Sequence, residues 1–294
     1  MSNKKTQDAV RDRDIRKPDA HDRVNDAVRS EAEAEGRAQQ QQTAEAPVQE
    51  AVQVLAETRQ VLKLLEDNKS AEAIEALAGL LGKLEILVAR HPELQLLPLG
   101  QRSEVIDIHA DIDSIKDAEK KAKKLLEKGE IQAARHIMRY LASEVVLYND
   151  YLPLADFPAY VKCVVPLIDK GALDEAREAL IAALNRVVTV ENIVPLPLVR
   201  AQLLLEQARK QSEQDDADKD AVLQLVDSAR YQLEMAEMLG YGHVEEDYPE
   251  LYDTLKTLRK QLEGDEAGKE SFLKLDKAIS ALRSKVFAPK HDKR

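Results

Sequence analysis

From Val48 onward apolar and polar residues alternate with a helical period; the residues before it show no such pattern. In VQEAVQVLAETRQVLKLLEDN, residues Val48, Val52, Leu55, Val61, Leu62 and Leu65 recur at the spacing of one helical face. Asn68 interrupts the pattern. SAEAIEALAGLLGKLEILVAR then resumes it, with Ser70 as the expected N-cap and His91-Pro92 as the stop. Two helices with a break of this kind predict a helical hairpin.

The hairpin recurs. LLEDNKSAEAIEAL starts at Leu64, LLEKGEIQAARHIM at Leu125 and LIDKGALDEAREAL at Leu167. Aligned without gaps, each puts Asn68, Gly129 or Gly171 at the turn and Ala73, Ala134 or Ala176 five residues later. A helix C′ position needs a residue that tolerates left-handed backbone, and the alanine lets the second helix approach the first. A looser fourth copy runs from Pro197 through QSEQDDADKD to LVDSARYQLEMAEMLG.

Leu-Pro-Leu occurs at 97–99, 152–154 and 196–198, each time after the second helix of a hairpin. The flanks EVVLYNDYLPL and VVTVENIVPL are rich in β-branched and aromatic residues, as short strands are. LQLLPLGQRSEVIDI supplies a third candidate strand. The expected fold is therefore mainly α: repeated helical hairpins joined by Leu-Pro-Leu connectors that pair as a small β-sheet. Their prolines should occupy edge positions or pair on one side only. Toward the C-terminus, Leu251, Leu255, Leu258 and Leu262 form one stripe, and Phe272, Leu275, Ile279, Leu282 and Val286 another. Both have coiled-coil spacing, and they could dock on the same chain or on another subunit.

Composition refines this picture. Aromatic residues are 4% of 294 and Trp is absent, so the core must be built of Leu, Ala, Val and Ile. Residues 1–46 carry mixed charge, few large apolar residues and a run from Gln39 to Gln42, which predicts a disordered tail. Residues 47–288 then make a single domain and 289–294 a basic C-terminal tail. The net charge of −11 argues against a nucleic-acid partner. One cysteine, Cys163, rules out an intramolecular disulfide, and its setting in VKCVVPLI predicts burial. No apolar stretch reaches the ~20 residues that span a bilayer, and MSNKKTQDAVRDRDIRKPDAHDRVNDAV has no apolar leader core. The expected location is cytoplasmic.

Three clusters bear on chemistry. DIHADID holds Asp107, His109, Asp111 and Asp113. On a helix, Asp107 would share a face with Asp111 and His109 with Asp113, an arrangement that suits a metal ion. The competing reading has acids in a first helical turn, complementing its dipole, with Ile106, Ile108 and Ile112 toward the core. RHIMRY places Arg135 and Arg139 one turn apart, as an anion clamp or a solvated face. Tyr148, Tyr151, Phe157 and Tyr160 crowd the second connector, as the wall of a ligand pocket or as pins holding the connector to the core. The stretch from Gly79 to Lys83 lacks the spacing and the Ser or Thr of a phosphate loop. No catalytic residue, cofactor or firm metal site is expected.

Several segments together resemble the YfdX family: PVQEAVQVLAETRQVLKLLEDNKSAEAIEALAGLLGKLEILVAR, EVIDIHADIDSIKDAEKKAKKLLEKGEIQAAR, YLPLADFPAYVKCVVPLIDKGALDEAREAL, IVPLPLVRAQ and SARYQLEMAEMLGYG. The resemblance covers roughly residues 47–262. It implies a mostly helical bacterial protein tied to stress tolerance, through acid response in some relatives and heat-resistance gene islands in others. Small-molecule binding and oligomerisation have been proposed for relatives, and no catalytic residues come with the family. Many relatives look periplasmic, whereas a charged tail stands here in place of their signal. The expected function is a non-enzymatic stress-tolerance protein, a homo-oligomeric helical scaffold binding unfolding proteins. The rival is a small-molecule module with its pocket near Tyr148–Tyr160.

Overall fold

The computed structural model describes residues 28–36, 38, 48–92, 95–214, 216–264 and 266–287. The repeat turns take the expected backbone. Asn68, Gly129 and Gly171 have φ of 58°, 74° and 72°. In each turn the next N–H reaches back to the helix, Lys69 to Leu64, Glu130 to Leu125 and Ala172 to Leu167, all at 2.9 Å. The turn residue's own N–H bonds to Leu65, Leu126 or Ile168. This double bond is the Schellman cap, which satisfies carbonyls that a helix end leaves open. A fourth such cap forms at Gly240, where φ is 80° and the Tyr241 N–H donates to the Ala236 carbonyl. Ala73, Ala134 and Ala176 are fully buried, as close helix approach requires.

The chain divides into two compact units, where the sequence groups residues 47–288 as one domain. One unit comprises the described residues of Gln40–Glu104 and Val146–Asn192. It contains helices α1 (Gln49–Glu66) and α2 (Ser70–Arg90), strand β1 (Leu96–Ile106) except its last residues, and most of β2 (Glu144–Pro153). Helices α5 (Phe157–Lys162), α6 (Val165–Asp169) and α7 (Leu173–Leu184) and the start of β3 (Val188–Pro195) complete it. Helix α1 packs on α2 and α7, and α5 and α6 pack on α2 and α7. Leu65, Leu77, Leu84, Leu97, Phe157 and Leu180 are central to the core. Burial of each leucine contributes about 1.5–3 kcal/mol.

The strands form one antiparallel sheet in the order β1-β2-β3. Pro98 lies in the edge strand β1, and Pro153 and Pro195 end β2 and β3, where a missing N–H costs no ladder bond. The third Leu-Pro-Leu is a correction to the connector reading. Leu196–Leu198 begin a helix, and Pro197 sits in its first turn, where its N–H would have no intrahelical partner.

The other unit comprises the described residues of Met1–Gln39, Val105–Val145 and Ile193–Ala288. It holds α3 (Ile112–Glu127), α4 (Ile131–Met138), α8 (Leu196–Ser212), α9 (Lys219–Met238), α10 (Val244–Glu263) and α11 (Lys269–Phe287). Helix α8 packs on α9 and α11, and its run from Leu196 to Ala201 is wholly buried, which makes it the central helix. The C-terminal stripes meet within the chain. Leu251, Leu255, Leu258 and Leu262 of α10 and Phe272, Leu275, Ile279 and Leu282 of α11 are buried.

Three local expectations change. Ser70 opens α2 but makes no capping bond; Lys69 holds the N-cap position. The inner face of α1 is Ala51, Val54, Leu55, Thr58, Val61 and Leu65, so the true stripe is rotated and Val52 is exposed. Cys163 is exposed, because α5 ends at Lys162 and Val161 and Val164 take the inward positions. Within the expected tail, residues 28–36 are helical, with Val28 and Ala32 fully buried. Val28, Ala32 and Gly36 repeat every fourth residue, a face of small side chains that permits close packing. A β-carbon on Gly36 would lie 2.9 Å from Val145 Cγ2. The rest of that tail apart from residue 38, and the whole basic tail 289–294, lie outside the described residues.

Candidate functional site

A helix buried on every side has no room for a charge unless a partner meets it. Arg200 sits in the buried run of α8 with its side chain 3% exposed, and Asp107, 8% exposed, is that partner. The Arg200 guanidinium donates to Asp107 Oδ2 at 2.7 Å. The Ser143 hydroxyl donates to Asp107 Oδ1 at 2.6 Å, and Arg29 Nε lies 3.0 Å from Oδ2. Burial pushes the Asp107 carboxyl up, but the hydrogen bond and charge of Arg200, with Ser143 and Arg29, outweigh it and hold the pKa below the ordinary aspartate range.

Tyr241 extends the centre. Its hydroxyl accepts from the Ser143 N–H at 2.9 Å and donates to Glu144 Oε2 at 2.7 Å. Burial, then the Glu144 charge, pushes its phenol well above the usual range, so it stays protonated. The Tyr248 hydroxyl bonds the Tyr241 carbonyl, and the Ser143 carbonyl accepts from the Leu196 N–H at 2.9 Å. The centre thus joins the start of α8, the residues before β2, the Gly240 turn and the 28–36 helix. Chemically it suits fixing structure. Asp107 is already claimed by guanidinium and hydroxyl donors and makes a poor base, and Ser143 donates to a carboxylate that needs no further proton.

The DIHADID residues separate. Residues 107–110 are non-helical, so the helical face assumed for a metal set does not form. Asp107 points into the buried centre, and His109 and Asp113 are exposed. Asp111 caps α3 by accepting the Ser114 N–H at 2.7 Å. Among the described residues no group of three acidic, His or Cys side chains could hold a metal.

Arg135 is exposed on α4, and the Arg139 guanidinium lies 4.6 Å from the Tyr140 ring centre and donates to its hydroxyl. The aromatic set does not form one wall. Phe157 is fully buried in the core. Tyr148 and Tyr151 are three apart on β2 and so face opposite sides of the sheet. Arg102 lies 3.9 Å over the Tyr148 ring, whose hydroxyl is 3.4 Å from Glu104. Burial and then Glu104 raise the Tyr148 pKa. Arg186 covers Tyr160 at 5.1 Å and pairs with Asp156. A shallow cleft of about 340 Å³ lies elsewhere, where Leu203, Phe272 and Arg209 flank Arg283, which bonds Glu35 and Gln202.

Residues 54–193 match the family model described as YfdX protein. Over this stretch the chain is similar to the YfdX family. A solved structure of Salmonella Typhi YfdX is 15% identical to this chain. The match covers 50% of this chain and 91% of that one, with a TM-score of 0.34. No curated protein matches the chain. Asp107 and Ser143 fall inside the YfdX match, and Arg200 and Tyr241 lie beyond it.

Proposed function

We propose that this YfdX-family protein is a non-enzymatic stress-tolerance factor that acts as a homo-oligomeric helical scaffold and holds partly unfolded proteins. The observation that supports it most is the surface of the α1–α2–α7 unit. Ile86 is 52% exposed and Ile181 45%, with Val52 and Val88 also facing water. Charged pairs share these helices, Arg90 with Glu50 and Lys83 with Glu57. Apolar anchors interleaved with charges suit weak, distributed contact with an unfolded chain, and oligomerisation multiplies such contacts. The stress role rests on the family. The small-molecule reading is less favoured, because Phe157 is spent on the core and guanidinium groups cover Tyr148 and Tyr160.

Size-exclusion chromatography with a reduced, alkylated, permanently unfolded client tests the proposal. Co-elution is expected, weakened about fivefold or more by Ile86→Ser with Ile181→Ser, since these are the most exposed apolar side chains on that surface and each lost contact subtracts from a weak total. Separate elution of protein and client would contradict it.

A further inference from the structure

The α3–α4 hairpin is strongly amphipathic in sequence but sparsely covered in the fold. Helix α3 buries Ile115 and Ala122, and α4 buries Ala134. Leu126, Ile131, Met138 and Tyr140 are 47%, 61%, 49% and 56% exposed. Leu126 and Ile131 flank the Gly129 turn. Ile131 and Met138 are two turns apart and share one side of α4.

Charge gathers at the same place. Between Lys120 and Arg139 stand seven Lys and Arg against two Glu, in a chain whose net charge is −11. Lys120, Lys121, Lys123, Lys124 and Lys128 are all exposed. Among the described residues, none of these five has a carboxylate within ion-pair distance. Elsewhere some surface lysines are paired, Lys83 with Glu57, Lys162 with Glu85, Lys210 with Glu206 and Lys285 with Asp247, and others such as Lys63, Lys170 and Lys277 stand singly, whereas five stand together here.

We infer that the α3–α4 hairpin is a docking surface for an anionic lipid bilayer. Unneutralised lysines beside exposed aliphatic side chains are the pattern of an interfacial helix. The cations meet phosphate headgroups, and Leu126, Ile131 and Met138 enter the boundary between headgroups and acyl chains. Tyr140 has the apolar body and polar tip that sit at that depth. The preponderance of lysine separates this surface from a protein contact. Protein interfaces are depleted in Lys, whereas a lysine stem can lie along apolar surface with its ammonium among headgroups.

The test is co-sedimentation of the full chain with unilamellar vesicles, either pure phosphatidylcholine or one-third phosphatidylglycerol. Binding to the anionic vesicles is expected, and about tenfold weaker binding to the neutral ones or on raising the salt well above physiological ionic strength. Ile131→Ser with Met138→Ser, which keeps every charge, and Lys120→Glu with Lys124→Glu, which keeps every apolar group, should each lose about tenfold. All four positions are exposed, and circular dichroism confirms that each variant is folded. Absence of binding to anionic vesicles, or wild-type binding by either variant, overturns the proposal. So does a smaller sedimenting species in buffer for the serine variant, which would make this face a contact between copies.

Discussion

Arg200 and Asp107 form a pair in which each side chain justifies the burial of the other. Removing Arg200 leaves Asp107 in a low-dielectric site with only Ser143 and the part-exposed Arg29 to meet it, so the loss approaches the ~3–5 kcal/mol of a broken buried pair. Arg200→Met should therefore lower unfolding stability in urea by that amount, and adding Asp107→Asn should restore much of it. A single-variant cost under about 1 kcal/mol would place the pair with ordinary surface bridges. The pair also sets a pH dependence. Asp107 has its folded pKa lowered, so the unfolded chain takes up its proton at higher pH than the folded chain does. Its stabilisation is fully present above the ordinary aspartate pKa of about 3.9 and is lost as pH falls through the lower folded value. Asp107→Asn should flatten that acid limb, measured as melting temperature against pH. Asp107 was conspicuous in the sequence, but for a metal. Its partner stands 93 residues on, and no local spacing links the two.

At the scale of elements, the turns carry the most legible information. Asn68, Gly129 and Gly171 repeat at one register because left-handed backbone admits few residue types, so composition alone reveals them. Gly171→Ala should cost about 1–2 kcal/mol for that reason. Gly79 and Gly82, inside α2 with nothing near a would-be β-carbon, should behave oppositely. Each change to Ala there should stabilise by about 0.5–1 kcal/mol, through a less flexible unfolded chain and better helix propensity. Thermal denaturation of the three variants checks both signs. The third Leu-Pro-Leu was illegible because proline ends a strand and opens a helix equally well. What decides there is Arg200, Leu203 and Leu204, whose burial makes 196–212 a helix in the middle of its unit.

For the whole molecule, net charge and patterning mislead where sums conceal local contrast. The total of −11 hides the run of lysines on α3, and the polar character of residues 1–46 hides the face of Val28, Ala32 and Gly36. The family match over residues 54–193 takes in the three turns at Asn68, Gly129 and Gly171, and surface chemistry supports the scaffold function proposed for the protein. The most direct measurement is light scattering of a heat-labile client warmed with this protein. Suppressed aggregation near one-to-one stoichiometry, with the Ile86→Ser and Ile181→Ser variant less effective though equally stable, is the predicted result. Aggregation at the same rate with and without the protein, below its own melting temperature, would contradict the scaffold account.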